Sequence, residues 1–186
     1  MLTLVSLKGM FPKISRYANS YFFKLLVEHT LFMPLQKVIA AFRVRFGHIF
    51  HRCFADIMPN ERFYLGGSHS LRSYEADLAP PLGCFIDKHG KRNIVPRGGK
   101  TMLNVNIELR LPEFNKVGFV LFSDMGILSG DNFIDFEQRN FVGGTGFGVR
   151  YFTPIGPLRF DIAWKWKKET NHEQSFNWYL TFGQAF

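Results

Sequence analysis

Several features are missing from this chain, and each absence closes a route. No window offers the roughly 20 consecutive apolar residues that a membrane-spanning helix requires; even residues 25–46 are broken by Glu28, Lys37, Arg43 and Arg45. Cysteine is limited to Cys53 and Cys84, and these with His29, His48, His51, His69, His89 and His172 show no ligand-like spacing, so no metal site is expected. There is no nucleophile elbow with its His and Asp partners and no paired-carboxylate cleft, so neither an enzyme nor a cofactor is expected. The formal charge is +8, yet the basic residues are scattered along alternating segments and loops instead of clustering. That argues against a nucleic-acid partner and suits anionic lipid head groups and a cationic lumen. The opening MLTLVSLKGMF has a short apolar run without a basic flank or a small-residue cleavage site, so it is not read as a signal peptide.

Aromatic residues, by contrast, are abundant. They make up 17% of the chain, with 22 Phe against 3 Trp, more ring surface than a small soluble domain can hide from water. Lipid is the alternative solvent. With helices excluded, only a closed β-barrel satisfies every backbone polar group inside hydrocarbon, and its strands must alternate apolar outside with polar inside.

That alternation is present. In residues 158–167, Leu158, Phe160, Ile162, Trp164 and Trp166 alternate with Arg159, Asp161, Ala163, Lys165 and Lys167. In residues 102–111, Leu103, Val105, Ile107, Leu109 and Leu111 oppose Asn104, Asn106, Glu108 and Arg110. Residues 38–50 and 21–31 carry the same period, as do Phe147, Val149 and Tyr151 against Gly146, Gly148 and Arg150. The last segment places Phe176, Trp178, Leu180, Phe182 and Phe186 on one face, and residues 117–124 alternate weakly because Val120 and Phe122 share the parity of Asp124. Trp164, Trp166 and Trp178 suit an interfacial girdle.

These seven segments are each near the ~10 residues of a tilted transmembrane strand. Single-chain bacterial barrels have even strand counts from about 8 upward, and an open edge in lipid leaves backbone groups unpaired. The reading is therefore all-β: an antiparallel transmembrane barrel present as a partial chain, with residues 1–15 unassigned and 16–186 forming the barrel part. Met1 is not expected to start the whole protein, since a barrel bound for export needs a leader. Residues 112–116 and 153–157 read as tight periplasmic-type turns and the other connections as long. The longest, residues 51–100, exceeds the ~12–15 residues beyond which a loop is usually functional or disordered. Cys53 and Cys84 lie within it and flank one loop-like stretch, and both a disulfide and two free thiols fit the sequence.

Within that loop, FYLGGSHSLRSY at residues 63–74 resembles the sixth extracellular loop of the BamA/TamA superfamily of outer-membrane protein insertases, whose signature is an aromatic, a Gly-Gly pair and a VRG[F/Y] tip. Gly66 and Gly67 match the pair and Leu71, Arg72, Ser73 and Tyr74 the tip, with Ser73 in place of the family's glycine. The resemblance implies that the loop folds into the lumen, with its arginine held by acids on the next two strands. Those strands are similar to NIELRLP at 106–112 and FSDMG at 122–126, which makes Glu108 and Asp124 the matching acids. Residues 143–161, GGTGFGVRYFTPIGPLRFD, resemble the family's penultimate hairpin; as a phosphate cradle the run lacks the Lys-Ser/Thr of a P-loop. The end, with Phe182, Gly183 and a final Phe186, resembles the C-terminal signal by which barrels are recognised for insertion.

The resemblance covers residues 60–186 and omits the family's periplasmic POTRA repeats and first half-barrel. It implies a bacterial outer-membrane location, lipid and client outer-membrane proteins as partners, periplasmic or lipoprotein accessory partners, and assembly or insertion of client barrels. A two-partner-type secretion pore, a passive porin and a non-functional fragment are the alternatives.

Overall fold

A computed structural model describes residues 2–10, 22–87, 92–130, 141–167, 174–183 and 185. Eight strands form one sheet: β1 (Leu2–Met10), β2 (Phe22–Leu35), β3 (Val38–Phe50), β6 (Thr101–Arg110), β7 (Val117–Ser129), β8 (Phe141–Thr153), β9 (Gly156–Lys165) and β10 (Phe176–Phe182). They lie side by side in that order, and every neighbouring pair is antiparallel. The sheet stays open, with β1 and β10 as its edges among the described residues. The remaining two strands, β4 (Leu82–Ile86) and β5 (Arg92–Pro96), make a separate hairpin within residues 51–100.

Two-residue periodicity decides which face each side chain takes. Along β6, Asn104, Asn106 and Glu108 are buried on the inner face, whereas Leu103, Val105, Ile107 and Leu109 stay accessible. β9 repeats this with buried Arg159, Asp161 and Ala163 against accessible Leu158, Phe160, Ile162 and Trp164. The register aligns these outward rows into a continuous apolar band, with Phe147 beside Trp164 at 5.8 Å and Phe160 beside Trp178 at 6.2 Å between ring centres. Exposed apolar surface on that scale matches hydrocarbon, not water. On β7, Val120 and Phe122 face inward with Asp124 and pack with Ala163 of β9 in a small apolar cluster on the inner face, which explains the weak alternation there.

Two details differ from the sequence reading. The sheet has eight strands, not seven; the eighth, Leu2–Met10, pairs with β2 from Leu2↔Thr30 to Met10↔Phe22. Its Leu4, Val5 and Leu7 are all exposed, so apolar residues stand on both faces and the period is blurred. β2 continues past residue 31 through Pro34 to a turn at Gln36, whose φ is 52°, so this connection is short. Among the described residues β1 pairs with β2 only as far as Thr30, so Pro34 meets no ladder bond on that side there. Cys53 and Cys84 are both free and exposed.

The short turns β2–β3, β6–β7 and β8–β9 gather at one end of the sheet. At the other end residues 51–79 leave β3 and fold back over the inner face. A buried apolar cluster joins the loop's Phe54, Ile57, Phe63, Leu65, Leu71 and Tyr74 to Ile49, Met102, Leu128 and Val142 from the loop-end termini of β3, β6, β7 and β8. Each such large side chain contributes roughly 1.5–3 kcal/mol by leaving water.

Ile107 lies in the middle of the outward row of β6. Ile107→Arg is expected to destabilise the chain in lipid vesicles by about 2–4 kcal/mol, read as a lower urea midpoint of tryptophan fluorescence, whereas Ile107→Phe leaves that midpoint near the parent value.

Candidate functional site

The loop tip owes its shape to local backbone chemistry. Gly66 and Gly67 adopt φ of 116° and 98°, values open to glycine, and a Cβ on Gly66 would stand 2.1 Å from the Glu75 carbonyl oxygen. The Tyr74 amide donates to the Leu71 carbonyl at 3.0 Å and the Gly67 amide to the Tyr74 carbonyl at 3.0 Å. These bonds close a compact turn that presents Arg72. Ser73 is accommodated without a positive φ, so its Cβ imposes no left-handed strain.

Arg72 is 2% exposed, and its guanidinium meets carboxylates from three strands. From β7, Asp124 accepts Nε at 2.8 Å, Nη2 at 2.9 Å and the Arg72 backbone amide at 3.1 Å. From β6, Glu108 accepts Nη1 at 3.1 Å, and from β9 the Asp161 carboxylate stands 3.7 Å from the same nitrogen. The guanidinium carbon lies 3.4 Å from the Phe122 ring centre, so one face is covered as well as its edge. Burial alone would lower the basicity of Arg72, and the adjoining Asp124, Glu108 and Asp161 charges reverse this, holding it above its ordinary value. A buried ion of this kind persists only when its partners come with good geometry and further hydrogen bonds.

Those further bonds exist. The Asn106 amide group donates to Asp124 at 2.7 Å and to the Ser70 carbonyl at 2.6 Å, while its oxygen accepts Arg43 Nη2 at 2.9 Å. Arg110 donates to Glu108 at 2.9 Å. Arg150 on β8 donates to Asp161 at 2.5 Å, and Arg159 Nε lies 3.1 Å from the other Asp161 oxygen. Three successive loop carbonyls are held by wall residues: Ser68 by Arg159 at 2.9 Å, His69 by Arg43 and Arg45, and Ser70 by Asn106. Glycines in the wall make the room. A Cβ on Gly47 would stand 2.5 Å from the Phe63 ring, one on Gly126 2.7 Å from Leu65, and one on Gly144 2.4 Å from the Ser73 side chain.

Of the residues singled out from the sequence, Gly66, Gly67, Leu71, Arg72, Ser73, Tyr74, Glu108 and Asp124 meet in this one place. Phe182 and Gly183 lie elsewhere, at the end of β10: Phe182 faces outward, Gly183 has φ of 93°, and its amide donates to the Pro157 carbonyl at 2.8 Å. Phe186 lies outside the described residues. Sequence reasoning missed the role of Asp161, which is 1% exposed and shared by Arg72, Arg150 and Arg159. The available signal was parity: Asp161 sits on the inward row of the most clearly alternating strand, opposite Gly148, where a Cβ would stand 2.0 Å from its carboxylate oxygen.

Removing Arg72 would leave three carboxylates buried together. Arg72→Ala is expected to cost about 3–5 kcal/mol, and Gly144→Ala about 1–3 kcal/mol through overpacking against Ser73 and the Trp164 carbonyl. Ser73→Gly, which deletes a buried hydroxyl that has no hydrogen-bond partner, is expected to stay within about 0.5 kcal/mol of the parent. Urea titration in lipid vesicles, with trypsin cleavage of the loop followed in parallel, measures all three.

Residues 13–186 match the family model described as the Omp85 superfamily domain. Among curated proteins, the outer membrane protein assembly factor BamA of Nitratidesulfovibrio vulgaris is 30% identical over 77% of this chain and 18% of its own length. The BamA of Neisseria meningitidis serogroup B is 27% identical over 64% of this chain and 18% of its own. The chain thus spans less than a fifth of these relatives. Among solved structures, a BamA from Haemophilus ducreyi lacking POTRA domains 1–3 superposes with a TM-score of 0.70 at 20% identity, covering 95% of this chain and 37% of that one. With the sheet, its lipid-type outer band and the seated loop, these matches establish that the chain belongs to the Omp85 superfamily and is part of an integral outer-membrane β-barrel.

Proposed function

We propose that this chain is part of a barrel that inserts or assembles other outer-membrane β-barrel proteins. The observation that carries the reading is the edge strand β10. Its outward row Phe176, Trp178, Leu180 and Phe182 is exposed and of the kind that faces lipid, and β9 is its sole strand partner among the described residues. An unpaired strand edge at membrane depth is a template: an incoming client strand gains main-chain hydrogen bonds that neither water nor lipid supplies. Assembly by edge pairing needs no covalent step. The names of the curated relatives, outer membrane protein assembly factors, support the same reading.

In this reading the loop is extracellular and the tight turns are periplasmic. Arg72, held by Glu108 and Asp124, keeps the loop seated and the wall in its working shape, while Phe182, Gly183 and Phe186 form the signal by which the barrel is itself inserted. Reversing the charge of Arg72 would set a fourth carboxylate beside Glu108, Asp124 and Asp161, a repulsive cluster that unseats the loop.

Arg72→Glu, introduced into the full-length protein, is therefore expected to deplete many outer-membrane barrels at once, measured by quantitative profiling of the membrane fraction. Unchanged barrel levels overturn the proposal, and loss of a single secreted protein replaces it with a dedicated export pore.

A further inference from the structure

β10 is short for this sheet: seven residues, against 13 or 14 for β2, β3, β7 and β8. With one neighbouring strand among the described residues and few ladder bonds, it belongs at the low end of local stability. Its inward row is Asn177, Tyr179 and Thr181. Tyr179 reaches across the inner face and donates its hydroxyl to the Tyr74 carbonyl at 2.7 Å, while accepting the Asn177 amide at 3.1 Å. That Tyr74 carbonyl is the one that closes the loop turn with the Gly67 amide. Tyr179 also lies directly opposite Asp161, the carboxylate shared by Arg72, Arg150 and Arg159. A single residue of the edge strand thus touches the turn that carries Arg72 and flanks the acid behind it.

We propose that Tyr179 is a positioning residue, a latch through which the seated loop holds β10 against β9, so that release of the loop and release of the sheet edge are one event. The inference deepens the reading of β10 as a templating edge: the latch sets how readily that edge is offered. The coupling is reciprocal by thermodynamic necessity, because a bond that stabilises β10 when the loop is seated stabilises the loop equally when β10 is in place.

Tyr179→Phe keeps the ring and removes the hydroxyl. Thr181→Val is the matched control, since the Thr181 hydroxyl is buried on the same strand without a hydrogen-bond partner. Hydrogen–deuterium exchange on the full chain in lipid vesicles is expected to show residues 176–182 and residues 66–74 exchanging faster together in Tyr179→Phe, by roughly two- to tenfold, with β6 and β7 unchanged. Thr181→Val is expected to leave both segments at parent rates. The latch is overturned if neither segment moves in Tyr179→Phe, if one moves without the other, or if Thr181→Val loosens both as much. Exchange is read without any client, so coupled exchange beside failure of the parent protein to insert a client would sink the insertase reading and leave the latch standing, and normal insertion by the parent with uncoupled exchange would do the reverse.

Discussion

The free energy of a buried guanidinium governs this molecule. Arg72 lies inside a protein wall where an unpaired charge costs several kcal/mol, so the loop can rest on the inner face only if carboxylates are waiting for it. Glu108, Asp124 and Asp161 come from three different strands, and they converge because register places them on the inward parity at compatible heights. The order and alignment of β6 to β9, the inward rows and the glycine relief at Gly144 and Gly148 all serve that meeting. A one-residue slip in any of these strands would turn its acid toward lipid and leave the arginine under-partnered.

The outer and inner faces obey opposite rules. Outside, any large apolar side chain of suitable depth serves, because lipid is an undemanding neighbour. Inside, nearly every polar atom is allotted: Asn106 alone ties Arg43, Asp124 and the Ser70 carbonyl together. The residual shortfall sits around Arg150, Arg159 and Asp161, where several polar atoms have no hydrogen-bond partner. This is also where two arginines stand directly opposite each other, Arg150↔Arg159, bridged by the one carboxylate of Asp161.

This asymmetry explains what was legible in the sequence. The strands of the sheet's interior were readable because lipid and a polar wall impose strict alternation, as in residues 102–111 and 158–167. Leu2–Met10 was not, because apolar residues occupy both of its faces. The extension of β2 was hidden by Pro34, which reads as a break unless the pairing with β3 is known to run past it. The β4–β5 hairpin lies off the main sheet and carries no lipid-facing period. Glu108 could be picked out from motif and parity together, and Asp124 from the motif alone. Asp161 lay in plain view on the inner row, yet its role depends on which strand ends up beside which, and spacing along a chain does not encode that. Tyr179 was hidden for the same reason: its partner is a carbonyl 105 residues away.

The wall grips the loop largely by its main chain. Arg159, Arg43 with Arg45, and Asn106 take the carbonyl oxygens of Ser68, His69 and Ser70, groups that every amino acid possesses. Recognition of this sort is blind to what the side chain at Ser68 happens to be, while it is strict about the path the backbone follows; His69 adds a ring hydrogen bond to the Ala185 carbonyl at 3.1 Å. Position 68 is therefore free to drift in composition, whereas Ser70 and Leu71 close by are buried, the Ser70 hydroxyl accepting the Gly66 amide at 3.1 Å. A mutation at position 68 alters what the loop displays without altering where it sits.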